Sequence, residues 1–296
     1  MTTQRNFTTG LIALALFLSY CSNDNGKADG YGNFEATEIT VSAEGTGKLM
    51  AFNVEEGDRL EEGQVVGYID TVQLSLKKAQ LQASRQKITA NSSSVLSQIG
   101  VYREQERTLT VEKNRILNLM KDSAATQKQL DDVEGRLSVL QRQIASVRAQ
   151  NASVLSELET LEAQLAQVDD QIRKSVITNP QAGTVLIKYA EPGEVTSFGK
   201  PLYKIGKLDD MILRVYVSEV QLPSLAIGKQ VEVHIDDAEG VRTLPGTITW
   251  ISSAAEFTPK VIQTKEERVN LVYAVKVSVK NDGALKIGMP GEMWVR

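Results

Sequence analysis

All seven prolines of this chain lie at or beyond Pro180, and between Thr71 and Asn179 the only glycines are Gly100 and Gly135. Proline and glycine interrupt regular backbone, so a stretch of roughly a hundred residues almost free of both is restricted to long helix. The apolar spacing agrees. Leu130, Val133, Leu137, Leu140, Ile144, Val147, Asn151, Val154, Leu158, Leu161, Leu165, Val168 and Ile172 follow in steps of three and four, and only Asn151 breaks the heptad seam. Asn151 has two readings at this level, a register-fixing polar residue or a tolerated one.

The first half of the zone keeps one strict seven-residue row, Leu74, Leu81, Ile88, Val95, Tyr102, Leu109 and Ile116. Its companion row, Lys78, Arg85, Ser92, Ile99, Glu106, Lys113 and Met120, is mostly polar, which predicts a narrower apolar stripe. Between the halves stands KDSAAT, Lys121 to Thr126, where both rows stop and Asp122 and Ser123 supply turn or capping chemistry. Two arms of about fifty residues at 1.5 Å rise make an antiparallel hairpin on the order of 75 Å long, too long for a compact core. The chain has 296 residues and is only 5% aromatic, which agrees with much of it lying outside one globular core.

An internal repeat flanks the hairpin. Gly47, Gly57, Gly63 and Ile69 are separated by ten, six and six residues, and so are Gly183, Gly193, Gly199 and Ile205, 136 residues later. Each copy alternates short apolar strands with a glycine turn that follows acidic residues, Glu55 and Glu56 in one and Glu191 in the other. Neither copy is long enough to bury a core alone. A hairpin that returns the chain to its starting point lets the two copies close on each other as one small β-sandwich. Beyond Lys207 the chain is strand-rich: Leu271, Tyr273, Val275, Val277 and Val279 keep one parity, and Val231, Val233 and Ile235 alternate with Glu232 and His234. Ser218 and Gln221 form a capping pair for a short helix through Leu225. A small β-barrel is the economical reading of residues 207–296, and the fold class is α+β.

Charge and residue usage exclude several function classes. Lysine and arginine number 33 against 37 acidic residues, a formal net charge of −4, which provides no excess for neutralising a phosphate backbone. One cysteine, Cys21, and one histidine, His234, rule out a disulfide scaffold, a Cys/His zinc site and most thiol or imidazole catalysis. Adjacent acids such as Asp209 and Asp210 or Asp236 and Asp237 read as solvated turns, and no GxxxxGK[ST] segment is present. No enzymatic activity, metal or cofactor is expected. At the N-terminus the apolar run Leu11 to Leu18 is far short of the ~20 residues a spanning helix needs and has the length of a signal-peptide core.

These features together resemble the HlyD family of periplasmic adaptors, also called membrane fusion proteins. The resemblance covers nearly the whole mature chain: a split pair of lipoyl-like half motifs, a helical hairpin between them, and a β-barrel. AEFTPKVIQTKEERVNLVYAVKV, from Ala255 to Val277, and LKIGMPGE, from Leu285 to Glu292, resemble the barrel of adaptors paired with ABC-type exporters. The implied division is a signal peptide over 1–20, a linker over 21–33, a lipoyl-like domain from 34–70 plus 176–206, the hairpin over 71–175 and the barrel over 207–296. Cys21, directly after the apolar run, resembles a lipoprotein acceptor, although Tyr20 stands where a small residue is usual. At the hairpin tip Arg115, Leu119, Thr126 and Asp131 hold the spacing of the family's channel-docking pattern, with threonine in place of serine at 126.

The resemblance implies a lipid-anchored periplasmic protein, best described by what it joins: an inner-membrane transporter, of ABC type rather than proton-driven, and a TolC-like outer-membrane channel. Such adaptors assemble as rings, commonly hexamers. The chain has little room after the barrel for a full membrane-proximal domain. A biotin or lipoate carrier is disfavoured, because the hairpin replaces the turn that bears the modified lysine and Lys48, Lys188, Lys200 and Lys204 lie elsewhere. A secreted coiled-coil scaffold or periplasmic holdase-type chaperone is the alternative, against which the polar tip, Lys121, Asp122, Ser123, Gln127, Lys128 and Gln129, argues.

Overall fold

The computed structural model describes residues 27–238, 240–257 and 271–295. The leader, Cys21 and part of the barrel segment that carries the family resemblance lie outside the described residues. The chain divides into two compact units, one over Thr40–Ile205 and the other from the segment up to Ile39 together with Gly206 onward.

In the first unit, α1 (Val72–Lys121) and α2 (Gln127–Lys174) are continuous helices of 50 and 48 residues. The heptad rows meet in three apolar clusters along their length. Leu74, Leu81 and Ile88 pack with Leu161, Leu165, Val168 and Ile172; Val95, Ile99 and Tyr102 with Ile144 and Val147; Ile116 and Met120 with Leu130, Val133 and Leu137. The polar companion row faces the partner helix as well. Lys78 pairs with Asp169 at 2.7 Å, Arg85 with Glu162 at 3.5 Å and Lys113 with Glu134 at 2.8 Å, while the Gln141 amide donates to Glu106 at 3.3 Å. These pairs climb α1 and descend α2 in multiples of seven, so they mark a single antiparallel register. Exposed ion pairs each contribute little stability; a register slip would break all of them together.

The Ser92 hydroxyl donates to Asn151 Oδ1 at 2.8 Å. The polar break in the α2 seam therefore meets the polar position in the α1 row, which favours the register-fixing reading of Asn151.

The two repeat copies exchange backbone hydrogen bonds with pseudo-two-fold regularity. The N–H of Gly57 donates to the Val185 carbonyl at 2.9 Å, and 136 residues on, that of Gly193 donates back to Leu49 at 2.7 Å. Gly63 to Asn179 is matched by Gly199 to Ala43, both at 2.8 Å. Strands obey the same shift: β2 (Gly47–Phe52) pairs with β7 (Val195–Thr196), and β3 (Arg59–Leu60) with β6 (Gly183–Lys188). Gly57 and Gly193 adopt φ of 95° and 94°, a left-handed turn conformation that explains glycine at both places.

One core results, in which Leu49, Val54, Val66 and Ile69 of the first copy are buried with their counterparts Val185, Ala190, Leu202 and Ile205. The hairpin's ends are joined to it directly. β4 (Val65–Ile69) pairs with β5 (Val176–Thr178), and the Ile69 N–H donates to the Ser175 carbonyl at 2.8 Å. Symmetry breaks at Tyr203, whose counterpart is Gly67. Its buried hydroxyl donates to Asn179 Oδ1 at 3.0 Å, and the Asn179 amide donates to the Glu61 and Gln181 carbonyls. Burial pushes the Tyr203 phenol up to about 12.

The second unit is a closed β-barrel. Around it run β8 (Pro201–Val217), β12 (Leu271–Lys280), β10 (Gly240–Ile251), β9 (Gln230–Asp237), β13 (Pro290–Trp294) and β1 (Gly30–Ser42), with β1 returning to β8. Met211, Leu213, Val215, Val233, Ile248, Val275, Val277 and Met293 fill its interior. The sequence division assigned residues 21–33 to a linker and 34 onward to the repeat module. Instead, Gly30–Asn33 pair with Pro290–Met293, and Phe34 is buried in the barrel core. The reason is closure: the strands after Lys207 leave one edge open, and β1 fills it. Gly32 permits the approach, since a Cβ there would lie 1.8 Å from the Arg214 carbonyl oxygen. The Ser218–Gln221 pair forms, the serine N–H donating to Gln221 Oε1 at 2.9 Å, but it opens only a single 3-10 turn, Leu222–Ser224.

Replacing Asn151 by leucine should raise the melting midpoint of the helical signal, because an apolar seam outweighs one polar layer in stability while losing register specificity; a lower midpoint in circular dichroism would show that the Ser92 bond contributes more. For Tyr203 the raised value means that the unfolded chain ionises first. Its contribution is complete below pH ~10 and is lost as pH rises toward 12. Tyr203→Phe should cost about 1 kcal/mol at pH 7, yet lose about 2–3 kcal/mol less than the parent between pH 9 and 12, measured by denaturant titration at each pH.

Candidate functional site at the hairpin tip

The tip is built from a helix stop at Asp122 and a helix start at Thr126, with three residues between them. Asp122 ends α1, and the N–H groups of Asp122 and Ala124 both donate to the Leu119 carbonyl, at 3.2 and 2.9 Å. Ser123 takes a left-handed φ of 58°, which reverses the chain without glycine. Thr126 then caps α2: its N–H and its hydroxyl donate to Gln129 Oε1 at 2.8 and 3.1 Å, within a capping box. The T-x-x-Q pattern that announces this box is readable in the sequence.

Of the four positions singled out in the sequence, Arg115 and Leu119 stand one turn apart on α1, Thr126 starts α2 and Asp131 lies in its second turn. Arg115 is ion-paired with Glu112 at 2.8 Å and exposed, so its remaining guanidinium donors face solvent. Asp131 accepts from the Gln127 amide at 2.8 Å. Leu119 is 40% exposed, an apolar side chain left open between charged neighbours. The hydroxyl expected to serve docking at Thr126 is thus also the cap that starts the helix.

Beside the tip, α1 and α2 enclose an open groove of about 910 Å³, lined among others by Gln105 and Thr108 of α1 and by Asp131, Gly135 and Val139 of α2. Residues seven apart share one side of a coiled-coil helix. Arg115 is therefore on the side of Thr108, and Leu119, fourteen beyond Gln105, on the side of Gln105. Arg115, Leu119 and Asp131 face one flank of the hairpin and offer a planar donor, an apolar contact and an acceptor. This arrangement can recognise a surface; it holds no nucleophile with a base.

The remaining chemistry-bearing residues have structural roles. Lys188 Nζ is held between Glu191 at 2.7 Å and Glu55 at 2.9 Å, contacts that raise its pKa, Glu191 first. Its side chain is only 9% exposed, and it ties the acidic turns of the two repeat copies together. His234, read in the sequence as a solvated strand residue, stacks on Trp294 with ring centroids 5.1 Å apart. In the barrel unit a second cavity of about 790 Å³ is lined by Tyr31, Glu35, Arg214, Tyr216, Asp236 and Glu292, among others. Arg214 is occupied there by Glu256 at 2.9 Å. Among the described residues no three His, Cys, Asp or Glu side chains cluster to hold a metal, and no helix is long and apolar enough to cross a membrane.

No protein-family model matches the chain. It is 28% identical over 288 residues to a protein of Yersinia pseudotuberculosis called "UPF0194 membrane protein", covering 88% of this chain and 87% of that one. A Citrobacter koseri protein of the same name is 29% identical over 287 residues, covering 88% and 86%. Among solved structures, MacA from Actinobacillus actinomycetemcomitans has the same fold, with a TM-score of 0.58 at 18% identity, covering 89% of this chain and 76% of MacA.

Thr126→Ala should fray the first turn of α2, at a cost of about 1 kcal/mol, while Thr126→Ser should not. Amide hydrogen exchange over residues 127–131 reads this directly, and equal protection in both variants would separate the hydroxyl from the cap.

Proposed function

We propose that this chain is a periplasmic adaptor of the HlyD, or membrane fusion, class. It links an inner-membrane transporter to a TolC-like outer-membrane channel and carries out no chemistry of its own. The observation that supports this best is the hairpin: helices of 50 and 48 residues, on the order of 75 Å long, ending in a capped tip where Asp131 lines the flanking groove and heptad spacing puts Arg115 and Leu119 on the same side. Reach and a recognition surface at its far end are what a bridging part requires. The likeness of fold to MacA and the description of the sequence relatives as membrane proteins agree with the reading.

In this account Arg115, Leu119, Thr126 and Asp131 dock the channel, and the repeat module acts as a lipoyl-like domain that bears no prosthetic group. Lys188 is engaged by two carboxylates, in keeping with that last point. Lipidation of Cys21 after removal of residues 1–20 anchors the protein at the inner membrane. The protein works as a ring, a hexamer by analogy with the class, and its transporter is of the ABC type. A holdase-type role would require an apolar tip, whereas Lys121, Asp122 and Gln127 to Gln129 are exposed polar residues.

The test is export in cells that depend on this chain. Arg115→Ala and Asp131→Ala should leave folding and membrane attachment intact but abolish export, and Cys21→Ser should release the protein to the soluble periplasmic fraction. Parental export from both tip variants would remove the docking role; a Cys21→Ser protein still sedimenting with membranes would remove the lipid anchor.

A further inference from the structure

Gly135 lies inside α2, where glycine supports helix less well than alanine. Nothing among the described residues accounts for it: a Cβ built there meets no heavy atom within 4 Å, and its backbone is not in the left-handed region. It does line the groove beside the tip, close to Asp131, Asp132 and Glu104 with Arg136 as the basic member, and next to Val139, which is 56% exposed. Along α2 the lining runs from Asp131 to Gln143, about three helical turns.

We infer that this groove is a seat for an α-helix of the channel partner, that Gly135 is the position where the partner's side chains come closest to the α2 backbone, and that the partner presents a basic side chain to Asp131 and Asp132. The inference rests on the docking reading above and extends it to a residue outside the four-position pattern. A groove between two helices accepts a third helix by the same heptad packing that joins the first two. The missing Cβ leaves the α2 backbone exposed in the lining at that point and permits close approach. The acidic excess of the lining selects a basic partner over an acidic one.

Gly100 is the matched control. It is the other glycine inside the helices, it too has no heavy atom within 4 Å of a built Cβ, and it does not line the groove. The experiment titrates the full-length adaptor against the host's purified TolC-type channel in detergent, by surface plasmon resonance, for Gly135→Ala, Gly100→Ala, Asp132→Lys and Arg115→Ala. Both alanine-for-glycine variants should melt about 2 °C higher or more. Only Gly135→Ala should bind about ten-fold more weakly, equivalent to about 1.4 kcal/mol; Asp132→Lys should bind more weakly too, with a shallower salt dependence.

Parental affinity in Gly135→Ala, or a loss shared equally by Gly100→Ala, overturns the seat. A lower melting point of Gly135→Ala overturns the premise that the glycine has no role within the chain. Tighter binding by Asp132→Lys overturns the basic partner. If Arg115→Ala alone weakens binding, the groove inference fails and docking at the tip stands; if Arg115→Ala also binds as the parent does, the docking reading itself fails.

Discussion

The structure depends on a set of hydrogen bonds that neither half of the repeat can make alone. Gly57, Gly63, Gly193 and Gly199 turn the chain, and each donates its N–H to a carbonyl of the opposite copy. Left apart, each copy would expose these donors and a few buried-type side chains such as Leu49 or Leu202. Joined, they close a core and satisfy the backbone in one step. The insertion between them is tolerated because β4 and β5, which bracket it, are paired. A hundred-residue excursion that leaves and returns at neighbouring positions adds only modest closure entropy.

The hairpin obeys a second economy. Its apolar seam is full-width on α2 and half-width on α1, and the missing half is supplied by polar residues that reach across, Lys78, Arg85, Ser92, Glu106 and Lys113. Such a rod gains less from burial than an all-leucine coil but has one register, and register decides which residues stand at the tip. The position of Arg115 and Leu119 against Asp131 is therefore set along the whole length of the rod as well as by the turn at Ser123.

Much of this was legible from residue order. The proline and glycine gap located both helices, the heptad rows named their buried faces, and the spacing of glycines revealed the repeat whose bonds follow the same shift. The polar companion row was read as a deficit because its partners on α2 become visible only once the register is known. Strand β1 was missed since in GYGNFEATEITVS the aliphatic and phenylalanine signals, Phe34, Ile39 and Val41, are sparse and Ile39 is exposed, and its place follows from barrel closure rather than from its own pattern. The four tip positions came from a family pattern; Thr126 as a cap was readable, and Gly135 was noted only as an interruption of the helix-forming stretch.

The mutual dependence of the two repeat copies is measured most directly by native-state amide exchange on the intact protein. The account predicts that the amides of Gly57 and Leu49, which donate to the carbonyls of Val185 and Glu194 in the second copy, and those of Gly193 and Val185, which donate to the carbonyls of Leu49 and Asp58 in the first, open with one common free energy and one denaturant dependence. Exchange in which the first-copy carbonyl partners can be lost by local opening of residues 47–69 while the residues 183–205 core stays closed would contradict it.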